Sequence, residues 1–296
     1  MNDPSTFKLH ESSDVWGGQW TEKKLDAFGK YLSAYLTIFN DKSYYKTIYF
    51  DGFAGTGVRK EKVTNTLYCQ LSLTKDEEHV YKGAAERVIC LDKSFDYYYF
   101  VDRRQSLQKL EARLKALSES AGKKLEFRPD DCNNQLKKLA ETMRCGKYVA
   151  LVLLDPFGMD IEWETIASLK KTKSDIWVLI PTGVIVNRLL DSAGKLKFSS
   201  RLESFFGLSE SEIRKEFYRT EKLDTLFGES EIVKKIENPI NHIACLYIRQ
   251  MKSIWKFVTE PPLVLYNSRN VPIYHFVFAS SNKTGYKIAG DSIKKI

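Results

Sequence analysis

The chain has 296 residues, with 46 Lys and Arg against 38 Asp and Glu, a net charge of +8, 43% apolar side chains and 28% charged ones. At about 150 residues per domain this is one large domain or two small ones, and the composition is globular rather than disordered. The longest apolar runs, such as Tyr148 to Leu154, fall far short of the roughly 18 residues a membrane span needs, and Met1 to Trp16 is polar with no signal-peptide pattern, so a cytoplasmic protein with no membrane contact is expected.

Residues 1–18 read as a loose leader ending in Gly17 and Gly18. Thr21 is placed to cap a helix running to about Phe39, in which Leu25, Phe28, Leu32, Tyr35 and Phe39 recur at helical spacing. A short β-rich run from Lys46 stops at Asp51-Gly-Phe-Ala-Gly-Thr-Gly57, and residues 58–82 are polar enough to be an insertion or lid. The alternation then continues. Ala84 to Leu91 is helical, Tyr97 to Val101 a buried strand ending at Asp102, Gln105 to Leu117 an amphipathic helix, and Lys124 to Phe127 a short strand. Asn133 to Arg144 is a helix, Tyr148 to Leu154 the most apolar strand, Trp163 to Lys171 a helix, and Asp175 to Ile180 a strand stopped by Pro181. Repeated β-then-α with strands apolar throughout predicts a doubly wound, mostly parallel α/β sheet covered on both faces. From Gly183 to Ile254 the pattern is helical, with breaks at Gly194, Gly207 and Gly228; strand signals return at Trp255 to Val258, Leu263 to Tyr266 and Ile273 to Ala279. The expected division is an α/β domain over 19–182 and 255–296, with a helical insertion over 183–254.

Five cysteines (Cys69, Cys90, Cys132, Cys145, Cys245) never form a CxxC pair, and the four histidines are as dispersed. No zinc site is expected, and the cysteines read as free thiols in a reducing compartment. The excess of +8 suits a polyanion such as nucleic acid.

Four strand ends carry residues suited to chemistry. The segment Asp51, Gly52, Phe53, Ala54, Gly55, Thr56, Gly57 has glycines that let the backbone approach a ligand. Its acid at the strand end would repel a pyrophosphate and suit a cationic amine, which points to the methionine end of S-adenosylmethionine rather than to NAD. Asp102 can accept both ribose hydroxyls of an adenosine cofactor through its two oxygens. Asp92, after Val88 to Leu91, competes for that role, but Tyr97 to Val101 is the clearer strand. At the third turn, Asp131 and Cys132 could read the adenine edge, and Asp131 is equally suited to capping the helix that follows. Asp155, Pro156 and Phe157 leave the most apolar strand, where a carboxylate is costly unless the position faces an open crevice. They could accept hydrogen bonds from an NH2 group and stack on a planar ring.

Tyr49 to Gly57, Leu154 to Gly158 followed by Ile161-Glu-Trp163, and His275 to Ser281 resemble the three-Cys-motif partner family, which is similar to class I S-adenosylmethionine-dependent methyltransferases. The resemblance covers about Trp20 to Ser192 and the last 25 residues or so. It implies a seven-stranded sheet whose last strand, Ile273 to Ala279, runs antiparallel. It also implies methyl transfer to an amine, most readily of a nucleic-acid base, with S-adenosylmethionine as cofactor and no metal. A wider resemblance is to amino-methyltransferases of nucleic acids, whose motif is Asp/Asn-Pro-Pro-aromatic; here there is one proline, and the aromatic stands one place earlier. Two other readings stay open: a non-catalytic partner of a cysteine-motif protein, and a metal-dependent nuclease using Asp51, Asp155 and Asp160.

Overall fold

Twenty-two residues, Gln19–Asn40, form the first helix, α1, and its stripe of Phe28, Tyr31, Leu32 and Tyr35 is fully buried. The structure, a computed structural model, describes residues 19–40, 44–60, 80–156, 158–188, 196, 198–225, 228–267 and 269–296. The leader expected over 1–18 therefore lies outside the described residues. Thr21 does not cap α1, because the helix has already begun at Gln19.

The elements follow as β1 (Lys46–Asp51), β2 (Val58–Lys60), β3 (Val80–Lys82), α2 (Ala84–Ile89), β4 (Tyr97–Val101), α3 (Arg104–Lys115), β5 (Leu125–Arg128) and α4 (Cys132–Met143). Next come β6 (Tyr148–Leu154), α5 (Trp163–Ala167), β7 (Ser174–Ile180), α6 (Thr182–Arg188), α7 (Ser199–Phe206), α8 (Glu210–Phe217), β8 (Tyr218–Thr225) and β9 (Gly228–Lys235). The chain ends with α9 (Pro239–Met251), β10 (Phe257–Val258), β11 (Leu263–Tyr266), β12 (Pro272–Ser280) and α10 (Lys283–Lys294).

The main sheet has the order β10-β12-β7-β6-β1-β4-β5. Strands β5, β4, β1, β6 and β7 are mutually parallel, and β12 is antiparallel to β7, as expected of the last strand. This is the doubly wound, mostly parallel α/β sheet of a Rossmann-like arrangement. Eight strands build it rather than seven. β10 pairs with Ala279 and Ser280 while β11 pairs with Pro272 to Phe276, so two short strands share one edge of β12. The prolines at 261 and 262, which cannot donate to a ladder, separate them.

Strand alternation sends side chains to two cores. On β6, Ala150, Val152 and Leu154 join one apolar cluster and Leu151 and Leu153 the other. Trp177 of β7 lies at the heart of the second, edge-on to Phe28 and Tyr31 and stacked on Phe276 at 4.7 Å. Each such fully buried side chain contributes roughly 1.5–3 kcal/mol. The stretch read as helical from 183 to 254 contains a hairpin instead, β8 paired with β9 from Tyr218–Lys235 to Thr225–Gly228. Its helices are not a separate layer: Leu202, Phe206, Phe217 and Tyr247 belong to the same apolar cluster as Val152 and Ile176. Within the expected insertion of 58–82, β2 and β3 pair antiparallel, and 61–79 lies outside the described residues.

At the amino end of β7 one carboxylate is buried in this core. Asp175 accepts from the Tyr31 hydroxyl of α1 at 2.6 Å and from the Ser280 hydroxyl of β12 at 2.5 Å, which ties the first helix to the last strand. Burial pushes its pKa up from 3.8 to about 6 against the pull of these two donors. The folded carboxyl holds its proton more tightly than the unfolded one, so its contribution to stability is complete below about pH 4 and is lost as pH rises through about 6. Removing a donor from the ionised form raises the cost further. Tyr31→Phe should therefore destabilise the protein by about 1–3 kcal/mol at pH 8, where Asp175 is charged, and by clearly less at pH 5. Urea midpoints at the two pH values measure this, and equal losses would contradict it.

No helix among the described residues is long and apolar enough to cross a membrane, and Cys90, Cys132, Cys145 and Cys245 are free thiols.

Candidate functional site

Strand β1 lies between β4 and β6, and the chain moves outward from it in both directions, first through β4 and β5 and then through β6 and β7. In such sheets the crevice outside the carboxyl ends of the strands at this switch is where ligands bind. Asp51, the last residue of β1, is level with Phe100 of β4 and Leu153 of β6. Asp102 and Asp155, each two residues further along its strand, leave the sheet on either side of it. The register thus brings three carboxylates to three adjacent strand ends.

Asp51 is almost fully buried. It accepts from the Tyr49 hydroxyl at 3.1 Å and from the Phe53 amide at 3.2 Å. Burial raises its pKa from 3.8 to about 7; the Phe53 amide and Tyr49 pull it down, and the charges of Asp155 and Asp102 push it up. A carboxylate here is expensive to ionise unless a cation joins it.

The loop from Gly52 to Gly57 is stitched to both neighbouring strands. Gly52 donates to the Leu153 carbonyl at 3.0 Å and Ala54 to the Val101 carbonyl at 3.1 Å, while the Gly55 amide reaches Asp102 Oδ2 at 2.8 Å. At Gly52 a Cβ would fall 2.4 Å from Cys132 Sγ and 2.8 Å from Leu154 Cδ2, so only glycine fits. Gly55 has φ +61°, and the space a Cβ would fill is open, so the loop presents bare backbone to the crevice. Gly57 is buried against Leu110. Phe53 packs on the core cluster behind β6, and Ala54 packs on the opposite cluster.

Asp102 ends β4, as the sequence predicts, whereas Asp92 lies exposed in the connection entering β4 at the opposite edge. Each Asp102 oxygen takes one backbone amide, Oδ2 from Gly55 and Oδ1 from Arg103 at 2.7 Å. A carboxylate oxygen accepts twice, so each keeps capacity for a hydroxyl. Asp131 is the N-cap of α4, accepting from Asn133 at 2.8 Å and Asn134 at 3.4 Å. Cys132 is buried with its thiol against Gly52, and burial pushes that thiol well above its ordinary pKa. It shapes the floor of the loop.

Asp155 is half-buried, and its Oδ2 accepts from the ammonium of Lys24 on α1. Pro156 is buried, and Phe157 lies outside the described residues. Lys24 is the residue that sequence reasoning missed. It falls on the apolar stripe of α1, four residues before Phe28 and seven before Tyr31, and is itself buried. A lysine in register with a buried face was the available signal, because a covered ammonium must meet a counter-charge. The last motif, His275 to Ser281, forms most of β12: His275 is buried, contacts the Thr182 hydroxyl through Nδ1 at 2.9 Å, and is held neutral with its pKa lowered to about 4 by burial. Asp160, the third acid of the nuclease reading, pairs with Arg201 at 3.2 Å. Among the described residues no three His, Cys, Asp or Glu side chains are grouped to hold a metal ion.

The state of Asp51 is open to measurement. Its folded pKa of about 7 lies above 3.8, so its stabilising contribution is complete below about pH 4 and is lost as pH rises through 7. Asp51→Asn should abolish the part of the pH dependence that falls between 6 and 8 and raise the melting temperature at pH 8, by several degrees for a gain of about 1 kcal/mol or more. An unchanged melting profile across that interval would show that Asp51 is not held protonated.

No protein-family model and no curated protein matches the sequence. Among solved structures, a Legionella pneumophila protein described under the family model DUF519 is similar over 92% of this chain and 91% of its own, at 12% identity and a TM-score of 0.47. The plantazolicin methyltransferase BpumL in complex with SAH is similar over 88% of this chain and 85% of its own, at 11% identity and a TM-score of 0.28. The same enzyme with a pentazolic desmethylPZN analog and SAH gives 12% identity, 88% and 86% coverage and a TM-score of 0.29.

Proposed function

We propose that the chain binds S-adenosylmethionine at the carboxyl ends of β1 and β4 and transfers its methyl group to an amine, that of a nucleic-acid base, held at Asp155. The observation that carries this reading is Asp51: a buried carboxylate with two further carboxylates beside it, in a fold whose ligands meet that edge. A cationic ligand offsets the cost of ionising it, and a pyrophosphate would raise that cost. The open space at Gly55 and the remaining acceptor capacity of Asp102 fit an adenosine whose ribose presents two hydroxyls.

S-adenosylmethionine supplies an activated methyl group on a sulfonium, so neither a covalent nucleophile nor a metal is required of the protein. The chain's task is positioning. Asp155 already accepts from a nitrogen donor, the Lys24 ammonium on Oδ2, and Oδ1 remains to accept from a target NH2. Pro156 has no N–H to compete for that acceptor. Phe157, next in the chain, is assigned to the flat face of the base. A base inside a duplex would have to be flipped out, so an unpaired base is the easier acceptor.

Two measurements test the reading. Calorimetric titration with S-adenosylmethionine should show Asp102→Ala weakened about tenfold or more, the value of a charge-assisted hydrogen bond of roughly 1.5–3 kcal/mol. Asp155→Asn and Asp155→Ala should bind the cofactor as wild type does. In tritiated-methyl incorporation into total RNA and DNA, Asp155→Asn should retain a reduced rate and Asp155→Ala should lose about 10²-fold or more, the cost of a misplaced reacting group. Tight binding by wild type with no labelling of any acceptor would replace the enzyme by a non-catalytic partner of a cysteine-motif protein.

A further inference from the structure

Several lysines far apart in the sequence are gathered by the parallel sheet. Each helix-to-strand connection returns to the amino edge, the end away from Asp51. Lys46 opens β1; Lys124, Lys147 and Lys173 immediately precede β5, β6 and β7; Lys256 precedes β10. Backbone hydrogen bonds set them side by side: Lys46 N to Lys147 O at 2.9 Å, Ala150 N to Lys173 O at 3.1 Å, Tyr98 N to Lys124 O at 3.0 Å. The Trp255 indole, next to Lys256, donates to the Ser174 carbonyl at 3.0 Å and joins β10 to the row. At about 4.8 Å between strands, the row from β5 to β10 extends roughly 29 Å.

The turns at this edge (residues 44–46, 90–96, 116–124, 144–147, 168–173, 252–256 and 281–283) contain twelve Lys and Arg and three Asp and Glu, a local excess of nine where the whole chain carries +8. Among the described residues, Lys46 is answered by Asp96 and Lys252 by Glu260. Aromatic rings stand among the lysines. Tyr44 is 65% exposed and 4.3 Å from Tyr45; the Lys173 ammonium lies 4.3 Å from the Tyr45 ring, and Lys124 lies 4.8 Å from Tyr97. A row of cations alone would suit any polyanion. Cations interleaved with flat aromatic faces suit a ligand that offers phosphates and bases together.

We infer that the amino edge of the sheet is a nucleic-acid docking ledge, on which Lys124, Lys147 and Lys173 take backbone phosphates and Tyr44 stacks on an unpaired base. It lies at the far end of the strands from the methyl-transfer crevice, roughly 17 Å away along β1 at about 3.3 Å per residue. The inference extends the nucleic-acid part of the proposed function and needs no methyl donor for its test.

The experiment is fluorescence anisotropy of the whole chain with a labelled single-stranded RNA of about 30 nucleotides, and with DNA of the same sequence, over a series of salt concentrations. Compared with wild type, the Lys124→Ala/Lys147→Ala/Lys173→Ala variant should bind about tenfold or more weakly, and its slope of log affinity against log salt should fall by about two, at roughly 0.7 per single-strand phosphate contact. Tyr44→Ala should weaken binding while leaving the slope in place. A control of equal charge change away from the ledge, Lys30→Ala/Lys138→Ala/Lys215→Ala on α1, α4 and α8, should keep the wild-type slope. Equal losses from the two triple variants, an unchanged slope in the ledge variant, or binding to phosphatidylserine vesicles with none to either polynucleotide would overturn the inference. Calorimetry with S-adenosylmethionine separates the two proposals. A ledge variant that loses RNA but keeps the cofactor supports the ledge, and a wild type that binds RNA but not the cofactor sinks only the methyltransferase reading.

Discussion

The carboxylate of Asp51 is the constraint around which the carboxyl edge is organised. Strand β1, at the switch point of the sheet, ends in an acid that solvent scarcely reaches, and the strands on either side lead into acids as well. Every nearby device moderates that charge. Tyr49 and Phe53 donate to it, the loop amide of Gly55 is spent on Asp102, and Lys24 is drawn under α1 to meet Asp155. None of these is a cation on Asp51 itself. The acid therefore stays costly to ionise, with its pKa raised to about 7.

Much of this was legible in the residues, because parallel strands buried on both faces are near-continuous apolar runs. Tyr148 to Leu154 could hardly be anything else, and once the strands are placed, the acids at 51, 102 and 155 fall at their ends. The choice of Asp102 over Asp92 rested on the same pattern, and Asp92 proves to lie at the wrong end of the molecule. What escaped were features that exist only across long sequence separations. Lys24 finds Asp155 at 131 residues' distance, and nothing local to either residue names the other. The hairpin of β8 and β9 escaped for a related reason. Arg219, Lys234 and Lys235 carry little intrinsic strand preference, and their extended form follows from cross-strand pairing, Arg219 opposite Lys234 and Tyr218 opposite Lys235. Asp131 could be read as ligand-facing or as a helix cap, and it caps α4.

The topology decides which residues gather at each end of the sheet. In a β-α-β crossover, every strand leaves at one edge and every helix returns at the other. Residues following strands, among them Asp51, Asp102 and Asp155, are thereby collected at one pole, and residues preceding strands, among them Lys124, Lys147 and Lys173, at the other. The net charge of +8 is thus unevenly placed, with an excess of nine in the amino-edge turns. Average composition could not disclose this, because it has no knowledge of which side of a strand a lysine stands on.

The divided outer edge of the sheet has a consequence for solubility. An exposed strand with a regular run of free amides and carbonyls is a template on which a second chain can grow. Here the last position is held by β10, two residues long, and β11, four residues long, with Pro261 and Pro262 between them. The opposite edge, β5, is also only four residues long and bears Glu126 and Arg128, which pair with each other at 2.9 Å. Neither margin offers a straight, apolar ladder of useful length. Both margins of the sheet are thus blunted, by interruption at one and by charge at the other.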